Sequence, residues 1–170
     1  MTFADQVIVM YDGAIVQIGT PQELFEQPAH KFVGFFIGSP GMNFLPCTVD
    51  GKLAHVDGLT VDGKLAHVDG LGITLDDDTA ALAQHARGKM EIGIRPMYLK
   101  VHSEPLQGCL PAKVKLVQDQ GSFKILTLNM AGYTLNAHVS EDQAVPSEEA
   151  WLEFPQERTR LFADERLVVK

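Results

Sequence analysis

Ala112–Gln118 (AKVKLVQ), Asp119-Gln120-Gly121-Ser122, Phe123–Met130 (FKILTLNM), Ala131-Gly132 and Tyr133–His138 (YTLNAH) follow one another without a break. Three β-rich runs separated by two turn sequences read as three successive strands. Working outward, runs of the same kind stand at Asn43–Val49, Ile73–Leu75, Lys89–Ile94 and Ala150–Phe154, separated by Gly, Asp and Pro. Between them Thr79–Ala86 reads as one short helix. Many short strands with few helices predict a mainly β unit, a small barrel or sandwich.

The stretch ahead of Asn43 differs. Gln6–Tyr11 and Ala14–Ile18 flank Asp12-Gly13, the two-residue signature of a type I′ hairpin turn. Val7-Ile8-Val9 is apolar on both faces, the pattern of a strand covered on both sides. Thr20-Pro21-Gln22-Glu23 then carries a cap, a first-position proline and the acid of a capping box, so a helix starts there and ends at Pro28. A second helix is expected over Ala29–Ile37, apolar nearly all round and therefore in need of a partner. Gly38-Ser39-Pro40-Gly41 reads as a linker, dividing the chain into 1–38 and 39–170.

An 11-residue segment, Val49–Leu59, recurs unchanged at Val61–Leu71 with a period of 12 residues. Two copies are too few for a solenoid. An undiverged duplication of a hairpin leaves the register ambiguous, and one copy is expected to bulge out of the sheet.

Composition narrows the function classes. Lys and Arg number 14 against 22 Asp and Glu, a net charge of −8, which disfavours nucleic acid as a partner. Apolar residues make up 45% and charged residues 21%, an ordinary globular balance. The longest apolar run, Phe32 to Gly38, falls far short of the ~20 residues that cross a bilayer. With no basic-then-apolar opening either, the chain is expected to be neither exported nor membrane-embedded. Cys47 and Cys109 lie outside any C-x-x-C spacing and nominate no metal or redox site. The histidines (His30, His55, His67, His85, His102, His138) never stand at ligand spacing. Asp76-Asp77-Asp78 lacks the alternation and terminal Glu of a calcium loop and reads as turn chemistry. Phosphate loops, a nucleophile elbow and a zinc helix are all absent from the sequence. The chain nominates no catalytic residue, no cofactor-binding residue and no metal ligand.

The order of features is more specific than any one of them. Residues 1–13 lead to Gln17-Ile18-Gly19-Thr20-Pro21, Glu23-Leu24-Phe25, Pro28, Phe32-Val33 and Phe36-Ile37-Gly38. This resembles the tail of the nucleotide-binding domain in ATP-binding subunits of ABC importers. Ile37–Leu45 resembles the junction into the C-terminal regulatory domain of the maltose and glycerol-phosphate importer subgroup. Gly93-Ile94-Arg95-Pro96 with Leu99 resembles that domain's G-x-R-P-E-x-L motif, and Leu161-Phe162 its closing L-H-L-F-D segment. Met97 stands where the family has Glu, and Arg160 and Ala163 where His and Asp are common, so no role carries onto those side chains.

The resemblance implies an OB-like (TOBE-type) barrel preceded by a β-hairpin and two short helices left from the nucleotide-binding domain. It implies a regulatory and dimerisation module, with Asn43, Phe44, Arg95, Pro96 and Phe162 as interface or ligand-contact residues. Val7, Val9, Phe32, Phe35 and Phe36 would form a packing surface orphaned by the missing domain, and 1–37 would swap onto a partner or pack on the barrel. The Walker A loop, signature motif, Walker B acid and switch histidine of the family fall on no residue here. ATP and magnesium therefore belong to the parent protein and no cofactor to this chain. Implied partners are a second copy through the regulatory domain, the permease subunits and the nucleotide-binding domain, at the inner face of the cell membrane. The alternative is an oxyanion-sensing barrel, with Arg95 and Lys100 as contributors.

Overall fold

In the computed structural model, which describes residues 4–56 and 72–168, the chain opens with a hairpin. β1 (Val7–Tyr11) and β2 (Ala14–Gly19) pair antiparallel. Asp12 and Gly13 both take positive φ, 49° and 75°, as the tight turn demands. α1 (Pro21–Glu26) follows behind its capping box: the Glu23 amide donates to Thr20 Oγ1 at 3.2 Å and the Thr20 amide to Glu23 Oε2 at 2.7 Å. The bonds from Thr20 hold the Glu23 carboxyl below its ordinary pKa. α2 (Lys31–Phe36) completes this first unit.

The rest is mainly β, as the run of short strands predicts. In chain order come β3 (Asn43–Asp50), β4 (Leu53–Val56), β5 (Gly72–Thr74), α3 (Asp77–Ala83), β6 (Met90–Ile94) and β7 (Lys100–His102). There follow β8 (Leu110–Asp119), β9 (Phe123–Met130), β10 (Tyr133–Ser140), β11 (Glu149–Glu153), β12 (Arg160–Ala163) and β13 (Arg166–Leu167). They form two antiparallel sheets, in the orders β10-β9-β8-β11-β7 and β13-β12-β6-β3-β4-β5. Leu45, Ile92, Ile94 and Leu161 from one sheet and Leu126, Leu128, Leu135 and Leu152 from the other share one buried core. That shared interior makes the two sheets a single unit. Among the described residues no helix is long and apolar enough to cross a membrane.

Three strands have no counterpart in the sequence reading. β7, β12 and β13 span two to four residues each, too few to show a period of their own, and their strand character comes from pairing with β11, β6 and one another. The first copy of the repeat turns through Gly51 (φ 57°) into β4, which pairs with β5. The second copy, and with it the expected bulge, lies outside the described residues.

The Gly38–Gly41 segment is no loose tether. The Met42 amide donates to the Gly34 carbonyl at 3.0 Å, and a Cβ on Gly41 would stand 2.2 Å from the Phe35 carbonyl oxygen. This connection is packed against α2, and only glycine fits at 41.

His138 gives the barrel a pH response. Its ring stacks on Phe123 at 4.9 Å, its Nε2 is buried without a hydrogen-bond partner among the described residues, and burial lowers its pKa. The unfolded chain therefore binds the proton more readily. Stability at this position is complete above the ordinary histidine value of ~6.5 and declines as pH falls through it. Urea titrations at pH 7.5 and 5.5 should show a smaller acid loss for His138→Gln than for the wild type; equal losses would contradict this.

Candidate functional interface

The chemistry of the molecule concentrates where the first unit meets the barrel. Arg95 lies at the end of β6 and is 2% exposed. Its Nε and Nη2 donate to the Phe25 carbonyl at 3.1 and 2.8 Å, Nη1 to the Gly34 carbonyl at 2.7 Å and to that of Ile37, and Nη2 makes a long contact of 3.5 Å with Leu24 O. These are carbonyls from the last turns and ends of α1 and α2, neither of which has a basic residue in its own last turn. One guanidinium thus caps two helix C-termini, where orphan carbonyls and the negative dipole end both favour a cation. The Phe25 ring covers it, with Cζ 4.2 Å from the ring centroid. Burial draws the Arg95 pKa down to about 10, against which the Glu26 carboxylate pulls upward, so the charge persists at neutral pH.

Around Arg95 stands a ring of polar links that the sequence alone does not reveal. Tyr98 donates its hydroxyl to Glu26, Arg158 pairs with Glu26 at 2.9 Å and covers the Tyr98 ring at 4.4 Å, and Lys31 pairs with Glu91 at 2.7 Å. Main-chain bonds from Lys31 to Glu165 and from Leu167 to Ala29 tie α2 to the closing strands. The first unit therefore packs on the barrel, one of the two outcomes the sequence allows.

The residues singled out in the sequence fall into distinct places. Asn43 is buried and bridges the sheets: its Nδ2 donates to Asn136 O at 2.9 Å and its Oδ1 accepts from Asn136 N at 2.8 Å. Phe44 is half-buried, with Lys31 Nζ 5.3 Å from its ring centroid and its edge on Phe162, which is fully buried. Pro96 is buried at the turn after Arg95, closed by the Tyr98 amide donating to Arg95 O at 2.9 Å, and its own carbonyl accepts from His138 N at 2.9 Å. Arg95 and Lys100, the contributors to the alternative oxyanion site, are both engaged within the chain. The first is enclosed and engaged by main-chain carbonyls, and the second holds Glu153 at 2.7 Å.

The orphaned surface also needs correction. Val9 is buried in a small core with Leu24, Val33 and Ile37, against which Val7 and Phe32 are partly buried. Phe32 stacks between Tyr11, at 4.5 Å, and Phe36, at 5.5 Å. What lies open is the other face of the hairpin, Ile8, Met10, Ile15 and Ile18, each more than half exposed, together with Phe35 and Phe36. Register explains the error: Ile8 faces Ile18 and Met10 faces Ile15 across the ladder, so one face points to the α1–α2 core and the other to solvent.

Residues 38–96 match the MalK OB fold domain family. The chain is 39% identical over 127 residues to the sn-glycerol-3-phosphate import ATP-binding protein UgpC of Bordetella pertussis, a match covering 74% of this chain and 31% of the relative. It is 37% identical over 156 residues to the uncharacterized ABC transporter ATP-binding protein y4oS of Sinorhizobium fredii, covering 89% and 37%. To UgpC of Escherichia coli it is 32% identical over 166 residues, covering 97% and 43%. The chain thus spans between 31% and 43% of the length of these relatives. Among solved structures, the cytoplasmic molybdate-binding protein ModG overlaps 71% of this chain and 95% of its own, at 16% identity and a TM-score of 0.49. The MalK-type OB match over residues 38–96 and alignments of up to 166 residues make this chain similar, over nearly its whole length, to a part of ABC importer ATP-binding proteins.

Proposed function

We propose that the chain is the regulatory and dimerisation portion of an ABC importer ATPase subunit whose parent couples ATP hydrolysis to uptake of a sugar, glycerol phosphate or related solute. On this reading residues 1–38 belong to the edge of the nucleotide-binding domain and 39–170 form the regulatory barrel, which associates with its counterpart in a second copy. Permease subunits hold the parent at the inner face of the membrane, and ATP and magnesium bind to the parent outside this chain.

The observation that carries the reading is the open apolar face of the hairpin. Ile8, Met10, Ile15 and Ile18 are 57, 59, 56 and 53% exposed on a unit whose opposite face is already packed. An apolar face of this kind on a unit otherwise closed by ion pairs marks an interaction surface. Similarity to importer relatives over the same stretch supports an ATPase domain as the occupant. Co-expression with the ATPase domain of a UgpC relative should give a complex that survives purification. Ile8→Asp with Ile15→Asp should abolish it while circular dichroism of the chain stays unchanged, because both side chains already face water. Absence of a complex with the wild-type chain would refute the assignment.

A further inference from the structure

Neighbouring strands in one sheet bring three metal-ligating side chains to one place on the outer face of the barrel. β11 lies between β7 and β8, with Glu153 opposite Lys100, Trp151 opposite His102 and Leu152 opposite Leu110. Continuing the β8–β11 register by one residue sets Cys109 beside Glu153. Directly opposed residues, and residues two apart on a strand, share a face, so Lys100, His102, Cys109 and Glu153 stand together. Val101, Leu110 and Leu152 point the other way into the core. The loop ahead of β8 is closed by the Cys109 amide donating to Leu106 O at 3.1 Å, with Gly108 at φ 81°, which fixes where the thiol emerges.

Ligand atoms of His102, Cys109 and Glu153 all lie within 4.8 Å of one another, and all three residues are half-buried. His102 Nε2 is 2.9 Å from Glu153 Oε2, while Lys100 holds the other oxygen, Oε1, at 2.7 Å. We propose that His102, Cys109 and Glu153 bind a single divalent cation of the zinc class, with water in the fourth position. Imidazole, thiolate and carboxylate are the donor set of this metal. Ligands around one tetrahedral ion stand roughly 3.3–3.6 Å apart on ordinary zinc bond lengths. Rotation of these half-buried side chains opens the 2.9 Å His102–Glu153 separation slightly and draws the thiol in. The ion takes the place of the direct contact between His102 and Glu153, and Lys100 holds the other carboxylate oxygen in position, as outer hydrogen bonds do for metal ligands generally. An open cavity of about 270 Å³ lined by Lys100, Gly108, Glu153, Phe154 and Gln156 adjoins the cluster and admits the water.

The thiol must lose its proton for this. Binding should therefore release a proton and strengthen with pH, because only the thiolate ligates. The test is titration of the reduced chain with Co²⁺ alone at pH 7.5, followed in the visible and near ultraviolet, then competition with Zn²⁺. The expected result is one equivalent of Co²⁺, a thiolate-to-cobalt charge-transfer band, and its loss when Zn²⁺ is added. Cys109→Ser should remove the band, and His102→Ala should weaken Zn²⁺ binding at least tenfold, while Cys47→Ser keeps both. Circular dichroism of each variant separates a lost site from a lost fold; a variant that fails it is replaced by His102→Gln or Cys109→Ala. A wild-type chain with no charge-transfer band, or a band that survives Cys109→Ser, overturns the proposal.

Discussion

Replacing Arg95 with Met should free the hairpin and its two helices from the barrel and lower stability by about 3–5 kcal/mol, the range for removing one partner from a buried charged network. The reason lies in what is left behind. The carbonyls of Leu24, Phe25, Gly34 and Ile37 gather around the guanidinium, and each one stranded without water costs about 1–3 kcal/mol before relaxation. Relaxation here means separation of the first unit, which rehydrates those carbonyls. Lys should rescue only part of the loss, since a point ammonium cannot donate along the five directions of a planar fork. Urea denaturation measures the total. Hydrogen exchange locates it: the amides of Gln27 and Ile37, which close the C-terminal ends of α1 and α2 on the Glu23 and Val33 carbonyls, should lose protection before those of β9. A midpoint within experimental error of the wild type, or uniform loss of protection, would disprove the role.

The same residue shows how far a sequence can be read. Gly93-Ile94-Arg95-Pro96 stands out as a motif, and each member proves to have a mechanical reason. Glycine clears space for Phe162, isoleucine fills the core, arginine caps two helices, and proline starts the turn that ends β6. None of those reasons is local. The partners of Arg95 lie 58 to 71 residues away, and nothing in the spacing of α1 and α2 says that their C-termini converge. Glu26, Tyr98 and Arg158 escape notice for the same reason, being scattered polar residues that only the tertiary fold joins.

Local chemistry was legible where it decides structure locally. Asp12-Gly13 and Ala131-Gly132 both turn with positive φ at each position, and the Thr20–Glu23 box caps α1 as its spacing dictates. The hairpin's exposed face was misassigned because Val7-Ile8-Val9 is apolar on both sides, and periodicity cannot tell which side finds the helices. His102, Cys109 and Glu153 are likewise invisible as a cluster, since the register of a three-residue strand, β7, brings them together.

Phe162→Ala should cost about 3–5 kcal/mol, the range for emptying a buried aromatic site. The ring is fully buried, meets Phe44 edge-on at 5.3 Å and 75°, and lies across β6 at Gly93. A Cβ on Gly93 would stand 2.7 Å from Phe162 Cε2 and 2.9 Å from Met42 Sδ, closer than carbon atoms approach. Gly93→Ala alone should therefore cost about 1–3 kcal/mol by overpacking. The pair is diagnostic because the two faults are opposite in sign. In the Phe162→Ala background the added methyl meets a void where the ring stood and the flexible Met42 side chain has room to swing into it, so Gly93→Ala costs less and the double variant is more stable than the sum of the two losses predicts. Denaturant unfolding of all four proteins gives the coupling, expected at about 1–3 kcal/mol for residues in contact. Additivity within about 0.5 kcal/mol would mean that the glycine is there for the backbone and not for the ring.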